Sequence, residues 1–163
     1  MDATSFVIQQ AERRHIEGLI PLRALLLEQT SSASYVCRTP EECHNWKEQY
    51  RHWLYEVLEN DSDIRVFVAI HGQEVIACST GIIDRRAPAR DCLNGYSGWI
   101  QSVVVAPSFR RQGVAATLLK SLTEWFAERK VSKIVLESTS GSETFYISQG
   151  FIPDQETLFI REI

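Results

Sequence analysis

Three consecutive valines run into a proline, two arginines and a glycine, and beyond them apolar residues recur with the period of a helix. The stretch is Val103-Val104-Val105-Ala106-Pro107-Ser108-Phe109-Arg110-Arg111-Gln112-Gly113-Val114-Ala115. It predicts a strand, a tight basic turn and then a helix, whose apolar face is Val114, Leu118, Leu119, Leu122, Trp125 and Phe126. Gly113 therefore falls where the first backbone N–H groups of a helix lack an intrahelical acceptor and point outward. Amides so placed form a cradle for an anion. Gly113 and the small Ala115 let a ligand approach the backbone, and Arg110 and Arg111 put guanidinium charge beside it, which suits phosphate. The turn has no Lys-Ser/Thr pair after its glycine and no Gly-x-Gly-x-x-Gly. Neither a magnesium triphosphate nor a dinucleotide is therefore the expected ligand.

Arg110-Arg111-Gln112-Gly113-Val114-Ala115 resembles the Gln/Arg-x-x-Gly-x-Gly/Ala motif of the GNAT superfamily of acetyl-coenzyme A-dependent N-acetyltransferases, as does the Val-Val-Val-Ala-Pro before it. Downstream, Phe145-Tyr146-Ile147-Ser148-Gln149-Gly150-Phe151 is similar to that family's Phe/Leu-Tyr-x-x-x-Gly-Phe segment. Local physics fits a short helix from about Ser142 to Gln149. Ser140 and Glu143 have the spacing of a capping box, and Gly150 stands where a helix ends in a left-handed residue, with Phe151 packing back. The motifs cover the C-terminal part of the chain; the N-terminal half agrees only in element order and length.

The N-terminal half reads from periodicity. Ser5 to Gln9 fits a short strand. Ile16, Leu19, Ile20, Leu22, Leu25 and Leu26 form a helical stripe that Pro21 should kink. Thr39-Pro40-Glu41-Glu42 supplies an N-cap, a first-turn proline and a capping-box glutamate for a helix whose face is Trp46, Tyr50, Trp53, Leu54, Val57 and Leu58. Ile64 to Ile70 and Glu74 to Ile83 flank His71-Gly72-Gln73 as a hairpin. Asp84 to Gly98 reads as a loop before a strand from Trp99 to Val105. Lys133 to Leu136 and Thr157 to Ile163 complete the strands. The expected class is α/β (α+β): a mixed, mostly antiparallel sheet of about six strands with helices on both faces. With 163 residues, 44% of them hydrophobic, one domain over 1–163 is expected.

A net charge of -4 argues against non-specific binding to nucleic acid or an anionic membrane, so the basic turn is a local exception. Cys37, Cys43, Cys78 and Cys92 are scattered, with no leader at the start, so no disulfide framework is expected and the cytoplasm is the default location. Cys37, Cys43 and His44 lack the paired spacing of a zinc site, and no metal is expected. Cys78, on a strand, is not assigned as a nucleophile.

The resemblance implies a mechanism. Acetyl-CoA would be the cosubstrate. Its pantetheine arm would pair with backbone groups of Val103, Val104 and Val105 where two strands splay, and its diphosphate would rest on Arg110, Arg111, Gln112, Gly113, Val114 and Ala115. Tyr146 matches the family's acid, which returns a proton to the departing thiolate. The amine needs a base. Gln101 and Ser102 stand where some relatives carry a carboxylate and neither serves, which leaves Glu137 at the end of the next strand. Tyr35, Tyr96 and Trp99 lie in or beside the loops that would flank the acceptor. The expected activity is acetyl transfer to a primary amine of a small molecule by direct attack. The alternatives are a non-catalytic acyl-CoA sensor and an acetyltransferase of peptide or protein N-termini. A homodimer is left open.

Overall fold

The computed structural model describes residues 4–163. Five strands form one sheet in the order β1-β2-β3-β4-β5: β1 Val7–Gln10, β2 Ile64–His71, β3 Glu74–Arg85, β4 Tyr96–Val105 and β5 Lys133–Leu136. The first three pairings are antiparallel and β4–β5 is parallel. The helices are α1 Ile16–Leu27, α2 Pro40–Asn60, α3 Val114–Glu128 and α4 Glu143–Ser148.

Alternation along the strands divides the core between the two faces of the sheet. Val66, Val68, Cys78 and Val104 meet Ile16, Leu19, Ile20 and Leu22 of α1 and Leu54 of α2. On the other face Ala69, Ala77, Ile83 and Ile100 meet Val114, Leu118, Leu122 and Phe126 of α3. Here α3 lies close to the backbone. A Cβ added at Gly98 would come within 2.8 Å of the Phe126 ring, and one at Gly81 within 2.8 Å of Leu122. The absent side chains are the space that Phe126, itself fully buried, occupies.

Most local signals act as expected. The Thr39 hydroxyl accepts from the Glu42 amide at 3.2 Å and the Glu42 carboxylate accepts from the Thr39 amide at 3.2 Å, closing the capping box of α2. Pro21 lies inside α1 without ending it: the helix runs through to Leu27, and Pro21 is on an exposed position where the carbonyl it leaves unpaired can meet water.

Four expectations are corrected. First, the sheet has five strands, not about six, because residues 157–163 form no strand and lie exposed. The available edge, β5, is only four residues long, too short to offset the cost of ordering another strand. Second, the loop between β3 and β4 is shorter than read. Cross-strand pairing carries β3 to Arg85 and starts β4 at Tyr96, with Arg85 opposite Tyr96 and its guanidinium 5.5 Å from the Tyr96 ring centre. Third, Ser140 and Glu143 form no capping box; Ser142 is the N-cap of α4 and its side chain makes no cap bond. Fourth, Cys37 and Cys43 are joined by a disulfide, six residues apart. The turn into α2 brings them together, which spacing alone did not reveal.

Candidate functional site

β4 is flanked on both sides only as far as Ile100. There β5 ends at Leu136, while β4 runs on beside β3 to Val105. From Gln101 to Val105 the edge on the β5 side has no strand next to it among the described residues. Alternate N–H and C=O groups on that edge are available to an extended ligand. At this divergence β4 is also bulged: Thr80 pairs with Ser102 and Gly81 with Ile100, so Gln101 is passed over.

The turn after β4 is held by its own polar side chains. Arg110 donates from Nε to the Val105 carbonyl at 3.0 Å, and Gln112 donates from Nε2 to the Ser108 carbonyl at 3.1 Å. Arg111 and Gly113 both take positive φ, 59° and 81°. The first helical bond of α3 is Thr117 N–H to the Gly113 carbonyl. Among the described residues, the amides of Gly113, Val114 and Ala115 have no acceptor. Nothing lies within 4 Å of where a Gly113 Cβ would be. The glycine is thus set by its backbone angle, and the approach to the three amides is open. Arg111 is exposed beside them, with no salt-bridge partner among the described residues, and Arg110 braces the turn through Val105.

Tyr146 lies half-buried on α4, in the cluster that includes Val103 of β4 and Leu136 of β5. Its ring is 5.2 Å from Phe145 and edge-on to Phe151 at 5.9 Å, and Gly150, with φ 92°, turns the chain so that Phe151 packs back. Burial raises the phenol pKa above its ordinary value of 10, so the group keeps its proton at neutral pH. Glu137 follows β5, is exposed, and does not line the cavity described next. Cys78 is buried in the core and its thiol is pushed up to about 12 by desolvation, which removes it as a nucleophile at neutral pH.

On the α1 and α2 face a cavity of about 740 Å³ opens beside the bulge. Trp46, Tyr50 and Trp53 form its aromatic wall, Arg23 reaches in from α1, and Gln101 from β4. Glu56 and His52 line it from α2, both exposed. The Arg23 Nη1 donates to the Ser102 hydroxyl at 3.1 Å, and its guanidinium lies 4.9 Å from the centre of the Tyr50 ring. Burial holds the Tyr50 phenol well above the usual tyrosine range. The α2 aromatics, expected as one core-facing stripe, also wall this cavity, which periodicity does not distinguish from core. The available signal was that Gln49, His52 and Glu56 accompany rings, not aliphatic residues, on one side of α2.

A smaller cavity of about 250 Å³ shares Trp46 with the first and is lined by Tyr35, Cys37, Arg38 and Glu162. Tyr35 lines this second cavity; Tyr96 and Trp99 line neither. Glu28 lies by the Cys37 and Cys43 sulfurs, its carboxylate within 4.8 Å, but those sulfurs are bonded to each other and are not thiolate ligands. No described helix is long and apolar enough to cross a membrane.

Residues 26–151 match the model of the acetyltransferase (GNAT) family. An aminoglycoside N(6')-acetyltransferase type 1 from Klebsiella aerogenes is 24% identical over 133 residues, covering 77% of this chain and 86% of that one. A predicted acetyltransferase from Clostridium acetobutylicum, solved with acetyl-CoA, superposes with a TM-score of 0.78 at 19% identity, over 96% of each chain. Glucosamine-6-phosphate N-acetyltransferase from Arabidopsis thaliana superposes with a TM-score of 0.74 at 18% identity, over 96% of this chain and 98% of that one.

Proposed function

Because the chain belongs to the acetyltransferase (GNAT) family, a family of acyltransferase enzymes, we propose that it transfers the acetyl group of acetyl-CoA to a primary amine of a small molecule by direct attack. The observation that carries this is the junction of an unflanked β4 edge with three acceptor-free amides at a left-handed Gly113. The free groups from Val103 to Val105 take the amides of the pantetheine arm as a neighbouring strand would. The amides of Gly113, Val114 and Ala115, with Arg111, Gln112 and the braced Arg110, take the diphosphate. The relative from Clostridium acetobutylicum holds acetyl-CoA, which supports the choice of cosubstrate.

The amine attacks the thioester carbonyl; a C–N bond forms, the C–S bond breaks, and the amine gives up one proton. Tyr146, kept protonated by burial, donates to the departing sulfur and regains a proton afterwards. Glu137 is the acceptor we assign for the amine's proton, working through water because it is exposed. One domain spans residues 1–163 in this reading, and a cytoplasmic setting would leave the Cys37–Cys43 bond open to reduction.

The relatives bearing substrate names act on a polycationic class, the aminoglycosides, and on an anionic amino sugar phosphate. The charge of this chain's acceptor is therefore a matter for its own cavity. The activity is tested by mixing the protein with acetyl-CoA and a panel of amines while following free thiol, alongside calorimetric titration of acetyl-CoA. Amine-dependent release of CoA is expected. Tight cofactor binding with no thiol released by any amine would favour the sensor instead.

A further inference from the structure

Most arginines of this protein either pair with a carboxylate or lie exposed to water. Arg13 pairs with Glu59, Arg51 with Glu17 and Glu48, Arg86 with Asp84 and Arg129 with Asp63, while Arg38, Arg85, Arg90, Arg110, Arg111 and Arg161 are exposed. Arg23, inside the 740 Å³ cavity, has no carboxylate within 4.0 Å among the described residues. A guanidinium carries five N–H donors in a planar fork. Its single hydrogen bond goes to the neutral Ser102 hydroxyl, and the Tyr50 ring supports it. Both partners fix its position and neither neutralises it. The remaining donors suit a planar anion.

Three rings dominate the α2 side of the wall, and Leu27, Ile64 and Ile82 add aliphatic surface. Trp46, Tyr50 and Trp53 offer an apolar body large contact area, with a single carboxylate, Glu56, among the lining residues. An acceptor with several ammonium groups would meet one carboxylate and one fixed cation, a poor match. We propose that the acceptor is a monoamine bearing a carboxylate, that Arg23 grips this carboxylate through its free N–H groups, and that the α2 rings cover an apolar or aromatic body. Ser102, on the unflanked part of β4, holds the Arg23 fork there through its hydroxyl and so orients the amine toward the acetyl group. The inference rests on the acetyl-transfer reading for its chemistry, but not for its binding.

The test uses matched probes: 4-(aminomethyl)benzoate against 4-(aminomethyl)benzamide, phenylalanine against phenylalaninamide, and neamine as a polycation. Binding to the CoA-loaded protein is read from the fluorescence of Trp46 and Trp53, and turnover from thiol release. The acids should bind about 10- to 100-fold more tightly than the amides, as a hydrogen-bonded charge pair allows. Arg23→Gln should erase that difference while leaving the amides' affinity in place, and Arg23→Lys should recover part of it. Circular dichroism and acetyl-CoA titration of each variant exclude misfolding as the cause. An acid preference in binding with no turnover would uphold the inference and sink the acetyl-transfer reading. Equal binding of acids and amides, a preference that survives Arg23→Gln, or neamine binding best would overturn the inference, whatever the turnover.

Discussion

The turn at Gly113 and the cavity under α2 are built by different means. The turn uses main-chain amides, a left-handed backbone and two arginines, all within six consecutive residues. The cavity uses side chains from α1, α2, β2, β3 and β4, with Arg23 and Ser102 separated by 79 positions. A backbone site tolerates many side chains and accepts one kind of ligand. A side-chain site can be rewritten residue by residue without moving the fold. That division suits an enzyme family with a common acyl donor and varied acceptors.

The sharpest way to break this comparison is Tyr146→Phe, which under the proposed mechanism touches the chemistry and neither binding surface. It should lower kcat by about 10²- to 10⁴-fold with acetyl-CoA affinity nearly unchanged, measured by stopped-flow thiol release and calorimetry. An unaltered chemical step would remove Tyr146 from the mechanism. Next in size is Gly113→Val. A branched residue at φ 81° meets left-handed strain of about 1–2 kcal/mol, and relief of that strain by leaving the binding conformation should weaken acetyl-CoA by about 5- to 30-fold. Amine binding, read separately by tryptophan fluorescence, should barely change; equal losses on both sides would mean the two sites are one.

Reduction of Cys37–Cys43 probes the acceptor side. Releasing a bridge that spans six positions should lower unfolding stability by about 2 kcal/mol. Because Cys37 lines the cavity adjoining Trp46, KM for the amine should shift more than the affinity for acetyl-CoA. Urea unfolding with and without reductant, and kinetics under both, supply the comparison. The smallest effect is remote from both sites. His15 is buried, and its Nδ1 accepts from the Glu12 amide at 2.9 Å, which requires the neutral ring. Burial first, and Arg14 second, lower its pKa from 6.5, so protons bind the unfolded chain more readily than the folded one. Stability should therefore fall as pH drops below 6.5, and His15→Asn should flatten that limb of the urea midpoint against pH.

What could be read in advance follows the same division. Strand, turn and helix around Gly113, the capping box at Thr39 and the hairpin at Gly72 are recorded in neighbouring residues, because caps and turns act over three or four positions. Tyr96 to Gly98 looked like loop because their strand character comes from β3 on one side and β5 on the other. Residues 157–163 hold the apolar run Leu158-Phe159-Ile160 that suits a strand, yet a strand needs an edge to pair with, and β5 offers four residues. Arg23 was hidden most deeply. Nothing in a helix sequence distinguishes a solvated arginine from one turned into a cavity beneath an aromatic helix.

At Gln101 β4 carries one residue more than β3 does opposite it, and the strand's faces exchange there. Upstream of it Gly98 and Ile100 face α3, and downstream Ser102 and Val104 face α1 and α2. Deleting that one position would leave Ile100 opposite Gly81 and Ser102 opposite Thr80, plain alternation with both flanks facing as they do now. What it would take away is the local bend and twist of β4 at the point where its β5-side edge comes free, so the extra residue shapes the opening and not the core.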